Sequence, residues 1–264
     1  CDTLSDVVEA ERQVHADIAE TQEDVVALDL EGNLGGPRPH VALMQVKSSA
    51  RLFVIDTHVV ADTFAQRAQG FRSLVADEQV VKVVHCCYGD ASALRVEHGI
   101  VLAGAFDTGV ADSILRGVAP NSSRGLGTVL VGFLGDKAVH LTYKGKLVHT
   151  PFMFNVRPLS KEHFVYSAED VEYCIQLFHI MRKALEKQGL LQLAFTLSDD
   201  RCVPLRYLEA EGTRIVVAIV DSASIVCIES LATGELELPS SDFDPQCLNR
   251  LSQPQLKKLL QATW

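Results

Sequence analysis

Long hydrophobic runs and paired cysteines are both missing from this sequence of 264 residues. No apolar stretch approaches the roughly 20 residues that a helix needs to cross a bilayer, so we expect neither a membrane-spanning helix nor a membrane partner. The seven cysteines are an odd number, and the adjacent Cys86 and Cys87 lack the C-x-x-C spacing of a zinc-ligand pair. The pattern argues against a disulfide scaffold and favours reduced thiols in an intracellular compartment.

A basic excess is missing as well. The formal net charge is -10, which taken alone argues against a protein that coats nucleic acid without sequence preference. The bases are nevertheless concentrated in residues 136–161, where Asp136 is the single acid among Lys137, Lys144, Lys146, Arg157 and Lys161. Two interpretations stay open for this stretch, a solvated loop or a wall that faces phosphates. Under the second, Lys144, Lys146 and Arg157 are candidate substrate-binding residues, and Arg157 is expected to pair with a phosphate or a carboxylate.

The chain is long enough for one large domain, or for one domain with a small companion. It begins at Cys1 without an initiating Met, so we expect a piece of a longer protein. After an opening helix, the stretches "DVVALDLE", "HVALMQVKS" and "RLFVIDT" predict an antiparallel meander, because turn residues separate them. Strands and helices then alternate, beginning with the buried strand "VVKVVHC". This order predicts an α/β fold with a mixed sheet flanked by helices.

The character of the sequence changes after residue 188. Apolar residues recur with a period of 3.6 over about residues 160–188, which predicts a helix. By contrast, "TRIVVAIVDSASIVCIESLATGELELP" is rich in β-branched residues and predicts a small antiparallel β unit, and the tail predicts a closing helix. We therefore predict two domains, residues 1–188 and a β-rich extension over residues 189–264.

Two acids follow the apolar half of the first strand, in "VVALDLEGN". Asp29 and Glu31 are two residues apart, so their side chains point to the same face of the strand and their carboxylates converge. Two anions held close together at the end of a buried strand repel each other and stay charged only with something positive between them. The strand therefore indicates a cation site.

Further acids occur where other elements could aim them at the same place. Asp90 lies just beyond "VVKVVHC", and Tyr166 and Asp170 are one helical turn apart on one helix face. Carboxylates are hard ligands that suit Mg²⁺ or Mn²⁺, and two such ions about 3.5–4 Å apart can clamp the attacking and leaving oxygens of a phosphoryl displacement. Structural explanations stay open as well: Asp29 as a turn residue, Glu31 as a solvated edge residue, Asp90 as a helix N-terminal charge, and Tyr166 as a packed aromatic.

Taken in order, these stretches resemble the three motifs of the DEDD superfamily of 3′–5′ exonucleases, in the tyrosine-bearing branch that includes RNase D and the Werner-type exonuclease domain. "VALDLEG" is similar to the D-x-E motif, "KVVHCCYGDASAL" to the second motif, and "RPLSKEHFVYSAEDVEYCIQL" to the third, Y-x-x-x-D-V. "FDTGVA" also matches the family's wording, and "EGNLGG" is similar to the Egalitarian-related subfamily. The resemblance covers about residues 1–188.

This resemblance implies an RNase H-like fold in which four acids bind two divalent ions, Mg²⁺ or Mn²⁺. The implied ligands are Asp29, Glu31, Asp90 and Asp170. Glu31 would also help to position the attacking water, and Tyr166 would orient it. The implied substrate is the 3′ end of a single-stranded nucleic acid, RNA more than DNA, and the implied products are nucleoside 5′-monophosphates.

Two functions from different classes remain open. The first is a metal-dependent 3′–5′ exoribonuclease, which the four acids and the tyrosine favour. The second is an RNA-binding scaffold in an RNA-processing complex, with the β-rich extension as the docking surface for a protein partner. The acidic net charge and the β-rich extension are both compatible with this second hypothesis. Lys82 and His85, which flank the second motif, are predicted to support the core rather than to contact substrate.

Overall fold

The computed structural model describes residues 1–35, 39–60, 69–119, 122–135, 150 and 152–202, together with the backbone of four strands between residues 208 and 237. By backbone contacts the chain divides into two compact units, Cys1–Cys202 and Val203–Trp264.

A five-stranded mixed sheet forms the centre of the first unit. Its strands are β1 (Val25–Asn33), β2 (His40–Lys47), β3 (Leu52–Ile55), β4 (Val81–Val84) and β5 (Ala105–Asp107). The spatial order is β3-β2-β1-β4-β5. The β1–β2 and β2–β3 pairs are antiparallel, whereas β1–β4 and β4–β5 are parallel. The predicted meander and the mixed sheet are therefore confirmed.

Eight helices and one 3₁₀ turn are described in this unit. The helices are α1 (Leu4–Thr21), α2 (Gln69–Ala76), α3 (Tyr88–His98), α4 (Thr108–Leu115), α5 (Leu126–Leu134), α6 (Lys161–Glu172), α7 (Cys174–Gln188) and α8 (Leu191–Cys202), and the 3₁₀ turn is Met153–Asn155. The prediction of one helix over residues 160–188 was wrong in one respect. Tyr173, with φ -111° and ψ 4°, leaves the helical conformation and separates α6 from α7. None of the described helices combines the length and apolar composition needed to cross a bilayer.

The first strand alternates between two hydrophobic clusters, as a strand buried on both faces must. Val26, Leu28 and Leu30 belong to a cluster that also contains buried residues of α1 and α3. Val25 and Ala27 belong to a second cluster, built with α5 and α7. The sheet therefore lies between two helical layers, and the face that carries Val25 and Ala27 continues towards the acids at the end of β1.

A bulge interrupts β1 directly after those acids. The register with β2 shifts between Glu31 and Gly32. Gly32 has φ +151°, and a Cβ atom there would lie 2.1 Å from the carbonyl oxygen of His40. Only glycine is accommodated at this position, because any side chain would collide with backbone. The bulge ends regular pairing and leaves Glu31 at the mouth of the sheet.

The second unit contains a four-stranded antiparallel sheet in the order β6-β7-β8-β9. Its strands are β6 (Leu208–Ala210), β7 (Thr213–Val220), β8 (Ala223–Ser230) and β9 (Leu236–Glu237). Within residues 189–202, Leu191–Cys202 form α8, which packs against β5 in the first unit. The domain boundary after residue 188 stays a prediction, and the closing helix predicted for the tail lies outside the described residues.

Candidate active site

A cavity of about 730 Å³ opens where β1 ends, between the turn after β4, the start of α5, and α6. All five residues that the three motifs singled out line it: Asp29, Glu31, Asp90, Tyr166 and Asp170. They come from three separate regions of the chain, and the fold brings these regions together in one cavity.

Three carboxylates form the tightest group in this cavity. One oxygen from each of Asp29, Glu31 and Asp170 lies within 4.8 Å of the others. Asp29 and Glu31 converge because they share a face of β1, and Asp170 reaches them from α6, where its side chain is buried with a relative exposure of 6%. Three hard oxygen ligands at this spacing fit a divalent cation such as Mg²⁺ or Mn²⁺.

Asp90 faces the same cavity from the first turn of α3. It is buried, with 7% relative exposure. Burial, with a further contribution from the nearby charge of Asp29, raises the pKa of the Asp90 carboxyl well above its ordinary value. Without a cation, therefore, the site disfavours a charged Asp90, and a bound cation would reverse that preference.

Replacing Asp90 by Asn is expected to stabilise the metal-free protein near neutral pH, because with a raised pKa the Asp90 carboxyl must either be buried charged or bind a proton when the chain folds. A carboxyl with a raised folded-state pKa contributes stability below its unfolded pKa of about 3.9, and that stability is lost as the pH rises through the folded pKa. The advantage of Asp90→Asn should therefore be absent near pH 4 and grow as the pH rises above the ordinary range of a carboxyl. Thermal unfolding in EDTA across this range measures it, and an advantage independent of pH would contradict the assignment.

Tyr166 is packed between the sheet and the 3₁₀ turn. Only 8% of its surface is exposed, it belongs to a cluster with Leu43, Val54 and Met153, and its ring centroid lies 6.2 Å from that of Phe154. Burial, followed by the charges of Glu31 and Asp29, raises the pKa of the Tyr166 phenol far above its ordinary value. Tyr166 is therefore a neutral hydroxyl at physiological pH, which suits orienting a hydrogen-bonded group and does not suit a phenolate base.

Arg157 is held by another side chain of the protein. Its Nε and Nη2 atoms each donate to a carboxylate oxygen of Asp56 at 2.5 Å, and Nη1 donates to the carbonyl oxygens of Phe154 and Val156. The expectation that Arg157 pairs with an anion is met by this carboxylate, while its role in substrate binding stays a prediction. Lys144 and Lys146 lie outside the described residues, so the interpretation of residues 136–161 as a phosphate-facing wall also stays a prediction.

A second group of possible ligand atoms, from His85, Cys86 and Asp107, lies beside the cavity. His85 and Cys86 are part of the cavity lining, although the sequence predicts a core role for His85. His85 is hydrogen-bonded through Nδ1 to the hydroxyl of Thr108 at 2.8 Å, and that hydroxyl donates to the carbonyl oxygen of Val84 at 3.0 Å. The hydroxyl therefore accepts from His85, which fixes a proton on Nδ1.

Both oxygens of the Asp107 carboxylate accept hydrogen bonds from other groups of the protein. It accepts backbone N–H groups of Cys86, Cys87, Gly109 and Val110, and Arg201 pairs with it at 3.2 Å. Although burial acts to raise the pKa of Asp107, Arg201 and the backbone donors hold it below its ordinary value. Asp107 therefore fixes the turn before α3, and its guanidinium partner disfavours a metal ion there.

Sequence reasoning missed this role for Asp107. The one signal available was the position of an aspartate directly before a helix, which predicts an N-cap. The structure contains that cap, through Gly109 and Val110. The bonds to Cys86, Cys87 and Arg201 join distant parts of the chain, and local spacing does not reveal them.

A model of the family described as 3′-5′ exonuclease matches residues 3–186, well over half of the chain. The chain belongs to the 3′-5′ exonuclease family. The matched region contains all five cavity residues that the three motifs singled out, so the cavity is formed by the part of the chain that the family model matches. Its tyrosine-bearing branch stays a prediction.

Curated relatives of this chain include Ribonuclease D of Bartonella henselae, 26% identical over 151 residues, which are 56% of this chain and 33% of the relative. Exosome complex component 10 of Mus musculus is 25% identical over 167 residues, 61% of this chain and 17% of the relative. The chain thus spans a third or less of the length of these curated relatives. The structure of Trypanosoma brucei RNase D in complex with RNA U12 is similar with a TM-score of 0.61 and 19% identity, over 97% of this chain and 77% of that one. That likeness supports the RNase H-like fold.

Proposed function

We propose that this protein is a metal-dependent 3′–5′ exonuclease that acts on single-stranded RNA and releases nucleoside 5′-monophosphates. The observation that carries the proposal is the convergence of Asp29, Glu31 and Asp170 in one cavity with Asp90 and Tyr166. Several carboxylates this close together repel one another, which destabilises the fold unless cations neutralise them. Two divalent ions bound together are suited to catalyse phosphoryl transfer.

Asp29, Glu31, Asp90 and Asp170 would hold two divalent ions, Mg²⁺ or Mn²⁺. When bound, the ions supply a lowered pKa for an attacking water and charge stabilisation for the displaced oxygen. The raised pKa of Asp90 supports this assignment, because a carboxyl that resists ionisation alone becomes a good ligand beside a cation.

Glu31 and Tyr166 would position the attacking water. Glu31 lies at the mouth of β1, directly before the bulge at Gly32, where its carboxylate would help to position the attacking water. The neutral hydroxyl of Tyr166 is suited to hold that water in line with the scissile bond. Burial of the Tyr166 ring against Leu43 and Phe154 limits its rotation, so the hydroxyl is held in place without cost at the moment of reaction.

An RNA substrate is supported by the relatives, of which one is named a ribonuclease and one a component of the exosome complex. A second cavity of about 310 Å³ adjoins the first through Glu31 and is lined by Phe152, Met153 and Phe154. Phe152 is 55% exposed and has φ +61°, a backbone conformation that is rare for a bulky residue. An exposed ring at this place is suited to stack on a base next to the 3′ end.

Replacing Phe152 by Ala is expected to raise KM for a 12-nucleotide RNA about 10-fold with little change in kcat, because stacking contributes about 1–3 kcal/mol per base. The matched control is Phe164→Ala, which removes a ring of similar exposure, 49%, that lines neither of the two cavities. Steady-state kinetics on both variants measures the difference. Equal KM values for the two variants would remove Phe152 from substrate binding.

The proposed activity is tested by a time course on RNA and DNA of equal sequence, labelled at the 5′ end in one series and at the 3′ end in the other. With Mg²⁺ or Mn²⁺ we expect stepwise shortening from the 3′ end, nucleoside 5′-monophosphate products, faster loss of RNA, and no reaction in EDTA. Absence of cleavage with binding retained would favour the scaffold function instead. Cleavage inside the chain, or from the 5′ end, would contradict the proposal.

A further inference from the structure

The side chain of Gln45 is completely buried in the middle of β2, with 0% relative exposure. Neither its Nε2 nor its Oε1 atom has a hydrogen-bond partner among the described residues. An amide in this condition is costly, because it has left water without regaining hydrogen bonds. A methionine of nearly equal length would fill the same space without that cost, so the amide needs an explanation.

The strand register places Gln45 directly opposite Asp29. Residues opposite each other in an antiparallel pair point to the same face, with Cβ atoms about 4.5–5.5 Å apart. On its other side Gln45 is opposite Val54 of β3, which belongs to the apolar cluster around Tyr166. The nearest charged neighbour of Gln45 across the strands is therefore the first carboxylate of the metal group.

Helix α6 covers this face of the sheet and carries Tyr166 and Asp170. Leu43 and Lys47 flank Gln45 on the same face of β2, Leu43 packs in the cluster of Tyr166, and Lys47 pairs with Glu172 at 3.7 Å. Both contacts lead to α6, so Gln45 lies beneath the helix that carries Asp170. The side chain of Gln45 therefore points to the sheet face that α6 covers, and β1 and α6 carry Asp29 and Asp170.

We propose that Gln45 is a positioning residue for the metal site, whose Nε2–H group donates to the Asp29 carboxylate when divalent ions are bound and fixes which oxygen faces the ion. Metal-ligating carboxylates are themselves commonly held by hydrogen bonds from groups that do not touch the metal, and loss of such a donor weakens metal binding about 10- to 100-fold. This inference rests on the proposed function, because it assumes that Asp29 is a ligand. It adds a residue that the three motifs do not contain.

Gln45→Met should produce two opposite effects in the full chain. The melting temperature in EDTA should rise by about 2 °C or more, because a buried amide without partners is removed. The dissociation constant for Mn²⁺ should increase about 10-fold. The matched control is Met44→Leu, an apolar exchange at a buried neighbour that points to the opposite face of β2 and belongs to the other hydrophobic cluster. It should leave Mn²⁺ affinity unchanged.

Calorimetric titration with Mn²⁺ and thermal unfolding in EDTA decide between the outcomes. Equal Mn²⁺ affinity in Gln45→Met and the unaltered chain would overturn the positioning role while leaving the proposed function standing. A lower melting temperature with unchanged affinity would assign Gln45 to the core and overturn it as well. If the unaltered chain binds no Mn²⁺, the proposed function and this inference fail together.

A second measurement does not depend on the folding of a Gln45 variant. In the unaltered chain with ¹⁵N-labelled glutamine, one side-chain amide resonance should shift on addition of Mg²⁺, and the shift should be absent in Asp29→Asn. Glutamine amide resonances that do not respond to Mg²⁺ would overturn the proposal.

Discussion

Asp29→Asn should lower the rate of 3′-end shortening by about 10³-fold or more, equivalent to about 4 kcal/mol of transition-state stabilisation. Asp29 interacts with every other part of the site. It belongs to the cluster of three carboxylates, its charge raises the pKa of Asp90, and it lies opposite Gln45. An amide oxygen is a weaker ligand than a carboxylate and carries no charge to balance the ions. Single-turnover assays at saturating Mg²⁺ measure this loss.

The same variant should keep its fold. Removing one of three crowded carboxylates relieves repulsion, so the melting temperature in EDTA should be unchanged or higher. Asp24→Asn is the matched control, because Asp24 is an exposed aspartate directly before β1 and outside the cavity. Unfolding of Asp29→Asn would mean that Asp29 is structural, and full activity would remove it from the metal site.

Asp107→Asn should have the largest effect on stability, about 3–5 kcal/mol, because it leaves Arg201 and several backbone donors facing an amide. The effect on activity should exceed what unfolding explains. Asp107 holds the backbone of Cys86 and Cys87, which lies just before Asp90, so the turn that positions Asp90 should shift. Chemical denaturation gives the stability, and assays well below the melting temperature give kcat.

Asp112→Asn separates these two effects. Asp112 is a buried aspartate on α4 that pairs with Arg116 and Arg124, so its loss should also destabilise the chain. Within the described part of the chain its carboxylate bonds to Arg116 and Arg124 and not to the turn before α3, so kcat of the folded fraction should stay near that of the unaltered chain. Equal kcat in the two variants would show that Asp107 acts on stability alone.

The parts of the site that the sequence predicted are those governed by local geometry. Alternation along β1 placed Asp29 and Glu31 on one face, and helical spacing placed Tyr166 and Asp170 on one side of α6; the structure brings all four into one cavity. The mixed sheet followed in the same way from the spacing of turns and apolar runs. Each of these inferences needed only neighbours within a single element.

The parts that the sequence did not predict depend on contacts between distant residues. Asp56 and Arg157 are 101 residues apart, and Asp107 and Arg201 are 94 apart, so no spacing rule connects them. Gln45 could not be singled out either, because its significance comes from its register opposite Asp29 and its burial beneath α6. The break between α6 and α7 was hidden because the apolar period continues through Tyr173.

The central claim, that this carboxylate group is a metal centre, is tested most directly by an anomalous difference map from crystals of the full chain soaked in Mn²⁺. We expect two peaks about 3.5–4 Å apart, in contact with oxygens of Asp29, Glu31, Asp90 and Asp170. Peaks at His85, Cys86 and Asp107 instead, or no peak in the cavity at saturating Mn²⁺, would contradict it.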